Sequence, residues 1–178
     1  MKKFATFLFA LLCASSMAST VDWALTGKSF TTSDGSAERA SGYYVTVFLY
    51  SDFSKVNTAL QSLGTAATSS ISTIETYVKS TGTTKATGAA SGSFTSSEPS
   101  VTPVSIFMVA FDAATIAEAK NYIVSSEVVS DAYTKPDVAT NKGEFKASSF
   151  GNWTPVPEPS TAALALAGLA LLLKRRRA

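Results

Sequence analysis

The sequence predicts an α+β domain, mainly antiparallel β and sandwich-like, with short inserted helices. Three observations carry this. Residues 43–50 (YYVTVFLY) and 104–111 (VSIFMVAF) are apolar at nearly every position and rich in β-branched and aromatic side chains, the mark of strands covered on both faces. Between them Phe53, Val56, Leu60 and Leu63 recur at helical spacing. Close to a third of residues 19–155 is Ser or Thr, which suits exposed strand positions. Two strands that need cover on both faces point to two sheets packed face to face. No Gly-rich phosphate turn follows a strand, so a βαβ arrangement has no support.

The 178 residues hold one domain and two terminal segments. Lys2 and Lys3 open the chain, and residues 4–14 form an apolar run broken only by Thr6. Ser16-Met17-Ala18 then places small residues where a signal peptidase reads them. Residues 1–18 therefore read as a signal peptide, an N-terminal signal helix too short for a stable span, cut between Ala18 and Ser19. Cys13 follows Leu11-Leu12, where lipid attachment needs a small residue. It is the sole cysteine, so the cut leaves a mature chain without a thiol, as suits an oxidising compartment.

Residues 19–155 form the exported domain. It carries nine basic and twelve acidic residues, near −3, although the whole chain is +2. The positive excess belongs to the ends and calls for no nucleic acid or other anionic partner. Weaker strand candidates lie at 23–30, 88–95, 121–129 and 143–149. The helix after the first strong strand starts at a Ser51 or Asp52 cap and ends at Gly64. Ala67, Ile71, Ile74 and Val78 make a second, weaker helical stripe. Residues 81–100 are Gly, Ser and Thr with few large side chains, and read as a flexible hairpin or long loop. A faint echo links the two strong strands, each followed by an aspartate (Asp52, Asp112) at the start of a helical stretch.

Catalytic signatures are missing. With no histidine, the chain lacks the commonest general base and metal ligand. It has no GxSxG, GxxxxGK, HExxH or CxxC pattern and no clustered acids of the calcium-loop kind. The twelve acids of the domain are scattered, as on a solvated surface. The reading is therefore no enzyme, no cofactor and no metal. Asn152-Trp153-Thr154 matches a glycosylation sequon, a short pattern that arises by chance, and Trp153 reads as an aromatic packed down at the domain's end.

The C-terminus carries the sharpest signal. Pro157-Glu158-Pro159 precedes an unbroken apolar run at 162–173 (AALALAGLALLL), closed by Lys174, Arg175, Arg176 and Arg177. The prolines hold the first part extended. The Ala/Leu run is a good helix, and the basic cluster stays cytoplasmic. Twelve residues at about 1.5 Å each cover about 18 Å of a hydrocarbon core of about 30 Å. The expected transmembrane helix is thus a short, removable anchor. Together residues 156–178 resemble the PEP-CTERM sorting signal of exported bacterial proteins. The resemblance implies recognition at Pro157, Glu158 and Pro159 by a membrane-embedded cysteine peptidase, exosortase, with residues 162–177 as anchor and stop. It also implies a cell-envelope or exopolysaccharide setting.

Two functional classes follow for the domain. One is a non-enzymatic cell-surface or extracellular-matrix protein, exported, transiently membrane-anchored and processed. The other is a small extracellular carbohydrate-binding module or hydrolase. A cleft with two acids about 5–10 Å apart would mark the hydrolase, and a flat exposed strip of Tyr and Trp the glycan binder.

Overall fold

The computed structural model describes residues 18–36, 40–64, 67–97, 102–134 and 141–157. Strand β5 (Pro103–Phe111) is its axis. One edge of β5 pairs antiparallel with β2 (Tyr44–Leu49), from Tyr44↔Phe111 to Leu49↔Ile106. The other edge serves two strands in turn. Strand β6 (Asn121–Val124) takes residues 109–111 of β5, and β7 (Val128–Tyr133) takes residues 103–106. Ser125 fills the gap between them: the Met108 N–H donates to Ser125 Oγ at 2.8 Å, and the Ser125 N–H donates to Met108 O at 2.9 Å. The predicted strand at 121–129 is therefore two strands, because one edge of β5 must be shared.

The sheet continues from β7 to β1 (Ser19–Leu25) and on to β4 (Ala90–Ser96), while β3 (Ser80–Thr83) lies outside β2. The path order is β3-β2-β5-β7-β1-β4. Its two ends curl together, and Ser80 Oγ of β3 donates to Ser93 O of β4 at 3.1 Å. Strand β8 (Gly143–Phe145) pairs parallel with β1, the one parallel pairing among the described residues, and β9 (Thr154–Pro155) pairs with β6. Mainly antiparallel sheet with short helices thus holds, but the two-sheet sandwich is replaced by one curled mixed sheet.

The curl explains the double cover that the sequence demanded. Val45 and Val47 of β2 and Ile106, Met108 and Ala110 of β5 face the enclosed side, with Trp23, Leu25 and Phe145. Phe48 of β2 and Phe107, Val109 and Phe111 of β5 face outward. Helices α1 (Phe53–Gln61) and α2 (Ala67–Tyr77) cover that outer side through Val56, Leu60 and Ile74. The helices do the work that a second sheet was expected to do.

Other expectations shift in detail. Asp52 stands at the N-cap of α1 but makes no side-chain cap bond; it pairs with Lys55 Nζ at 3.4 Å instead. Asp112 caps no α-helix. A short 3₁₀ turn at Ile116–Glu118 follows, and the echo between the two strand–helix units ends there. Strand β4 falls on the weaker candidate at 88–95, and with β3 it makes the described part of 81–100 two strands joined by a turn, not a long loop. The small residues of this stretch gave little strand signal, yet Gly82 and Gly92 are the positions that let both strands close on Trp23. No described helix is long and apolar enough to cross a membrane. The predicted signal helix and the span at 162–173 lie outside the described residues.

Candidate functional site

The acids of the domain are mostly occupied locally. Asp112 Oδ1 accepts the backbone N–H groups of Lys120 and Asn121 at 2.8 and 2.9 Å. Its Oδ2 accepts from Asn121 Nδ2 at 2.7 Å and Ser33 Oγ at 2.9 Å. Burial alone would raise this carboxyl, but the four donors outweigh it and hold it below the usual carboxylate range. Asp112 thus clamps its own loop to the loop around Ser33. Tyr133 Oη donates to Asp22 Oδ2 at 3.2 Å, Thr115 Oγ1 to Glu118 Oε2 at 3.0 Å, and Lys146 Nζ pairs with Glu144 at 3.1 Å. Glu38, Glu98 and Asp137 lie outside the described residues.

A cleft of about 300 Å³ opens between β4 and the start of β5, lined by Leu49, Lys79, Phe94, Ser96 and Ser105. None of its described lining residues is acidic. Among the described residues no three His, Cys, Asp or Glu side chains gather as a metal site. The described aromatic cluster around Trp153 forms no flat exposed strip either. Trp153 sits edge-on to Phe30 and Tyr43, each at 5.5 Å between ring centres, and Phe30 meets Phe150 at 5.1 Å. These rings pack against the enclosed core. Trp153 is the packed-down aromatic that the sequence suggested.

The most built feature leads into the C-terminus. Trp153 Nε1 donates to Thr31 O at 3.1 Å. Thr154 and Pro155 pair with Tyr122 and Asn121 as β9. The Val156 N–H donates to Lys120 O at 2.8 Å, and Val156 packs on the outer cluster. The Pro157 carbonyl lies directly against Gly64, just past α1, so close that any Cβ there would overlap it. Of the predicted sorting residues, Pro157 is thus placed half-buried on the domain. Glu158, Pro159, Lys174, Arg175, Arg176 and Arg177 lie outside the described residues. At the other end Ala18 is exposed, while Ser19 is buried as the first residue of β1 and its Oγ donates to Ser96 O at 3.3 Å. The sequence reading missed Lys120 and Thr31 as partners of the arm, since backbone acceptors leave no trace in residue type. Gly64 had a signal, but it was read as a helix stop.

The stretch that begins in this arm matches a known sorting motif. Residues 155–178 match the family model of the PEP-CTERM protein-sorting motif. The chain carries a PEP-CTERM sorting motif. That motif is a recognition signal for exosortase and implies export and sorting to the cell envelope. The match covers the C-terminal segment alone and bears on sorting. No curated protein and no solved structure matches the chain.

Proposed function

We propose that the chain is a non-catalytic cell-surface or extracellular-matrix protein, delivered by its PEP-CTERM signal and freed from a transient membrane anchor by exosortase. The match at residues 155–178 is the observation that carries this reading. The domain supports it in a plainer way. Six of its nine described acids make loop clamps or local surface pairs, its cleft has no described acid, and the aromatic cluster around Trp153 packs inward. In this reading residues 1–18 are removed by signal peptidase after Ala18. Pro157, Glu158 and Pro159 are read by exosortase, and residues 162–173 span the membrane until processing. The envelope, with its exopolysaccharide, is the setting. The carbohydrate-binding or hydrolase alternative has no observation in its favour.

Intact mass of the protein from cells with and without exosortase tests the proposal. The expected result is a mature chain beginning at Ser19 and lacking residues 162–178 when exosortase is present, and one retaining them when it is absent. Retention of residues 162–178 in exosortase-positive cells would overturn it and leave a plain tail anchor.

A further inference from the structure

The arm at residues 153–157 runs into the motif while still bound to the domain. Contacts along its whole length hold it. The Trp153 ring is wedged between Phe30 and Tyr43, with its N–H on Thr31 O. Strand β9 extends the sheet beside β6. The Val156 N–H is bonded to Lys120 O, and the Pro157 carbonyl rests on Gly64. Prolines at 155 and 157 have no N–H, so Val156 offers the single backbone donor of residues 155–157, and the domain already uses it. A peptidase that reads Pro157 in an extended segment would engage backbone that the domain already holds.

Chain length sharpens the conflict. The four residues 158–161 reach at most about 14 Å even when fully extended. With the arm seated, the folded domain is therefore tethered that close to the start of the apolar run. Releasing residues 153–157 adds up to about 17 Å of chain.

We infer that the domain and exosortase compete for Pro157: the arm at 153–157 is an autoinhibitory contact, and the motif is read only after the arm lifts from Gly64 and β6. This rests on the sorting reading given above. The arm's own local stability, rather than that of the whole domain, then sets how often the motif becomes available, since a small, edge-bound segment opens far more often than the core.

Two measurements on the full chain test it. The first is amide exchange by NMR in detergent-solubilised protein from exosortase-lacking cells. The Val156 amide and the Trp153 indole N–H should be protected in the wild type, and the Val156 amide should exchange at least tenfold faster in Trp153→Ala. An unprotected Val156 amide in the wild type would overturn the seated arm, whatever exosortase does. The second is the rate of processing, followed by pulse-chase in exosortase-positive cells. Gly64→Val displaces the Pro157 carbonyl without altering any motif residue, and should speed processing several-fold. Trp153→Ala should do the same from the other end of the arm, and serves if the Gly64 variant melts early. A released arm with an unchanged or slower rate would overturn the competition. A protected arm in a wild type that is never shortened would instead sink the sorting reading, and the competition with it.

Discussion

Gly92 lies flat against the indole of Trp23, its direct cross-strand partner, and a Cβ at that position would stand 2.8 Å from Trp23 Cζ2. Gly82 faces the same ring from the opposite end of the sheet, where a Cβ would stand 3.0 Å from Cη2. The curl therefore closes over one buried tryptophan, with a glycine from each terminal strand giving it room. The ring is buried in the same core cluster as Leu25, Val45 and Phe145, whose packing leaves little room for it to shift. Gly92→Ala is expected to cost about 1–3 kcal/mol, as overpacking does. Urea denaturation checks this. Pairing it with Trp23→Phe should recover part of the loss, because the smaller ring clears the site and removes an indole N–H that has no hydrogen-bond partner.

Phe107 tests the outer layer. It stacks on Phe48 at 5.0 Å and meets Phe53, the first residue of α1, at 5.1 Å. Tyr50 approaches it edge-on at 6.2 Å. This one fully buried ring joins both central strands to the helical cover. Phe107→Ala should lower stability by about 3–5 kcal/mol. Helical signal in circular dichroism should fall before or with the sheet. An unchanged melting temperature would mean that α1 is held by other contacts.

Asp112 makes stability depend on pH in a fixed direction. Its folded carboxyl lies below the ordinary value of about 3.9 for an unfolded aspartate. Between those two values the unfolded chain binds more protons than the folded one. The stabilisation is therefore fully present above about pH 5 and is lost progressively as pH falls through the unfolded and then the folded value. Asp34, held at about 2 by the Thr32 hydroxyl and by the backbone and hydroxyl of Ser36, acts in the same direction from a fully exposed position. Asp112→Asn should destabilise by about 1–3 kcal/mol at pH 7. It should also flatten the fall in melting temperature below pH 4. Asp34→Asn should remove a further, smaller part of that slope.

The sequence disclosed whatever depends on local periodicity. Strands β2 and β5 announced themselves because both of their faces are apolar, and α1 because Val56 and Leu60 fall on one side. Closure left no such mark. The strand at Ser80–Thr83 is Ser-Thr-Gly-Thr, and it exists because β2 pairs with it and Gly82 admits Trp23. Tertiary pairing overrides weak local preference there. The role of Asp112 was hidden for a similar reason, since two of its four donors are backbone N–H groups and a third comes from Ser33, distant in sequence. The sorting motif was legible because its proline–acid–proline, apolar and basic parts follow one another in the linear sequence. The grip of the domain on Pro157 was not, because Gly64 lies far along the chain and its contact is with a carbonyl.

Two parts of the C-terminal signal should fail in different ways. Glu158 sits between two prolines, so its carboxylate samples few orientations and can be recognised at little ordering cost. In the proposed reading the basic residues Lys174, Arg175, Arg176 and Arg177 act earlier, by fixing the end of the chain in the cytoplasm. Glu158→Ala should therefore give an unprocessed protein that stays in the membrane fraction, with mass extending to Ala178. Replacing the four basic residues with Ser removes the stop from a span only about 18 Å long, and should release full-length protein into the medium. Fractionation followed by intact mass separates the two outcomes. If the two variants behave alike, recognition and retention are one step, and the division of labour within the signal is wrong.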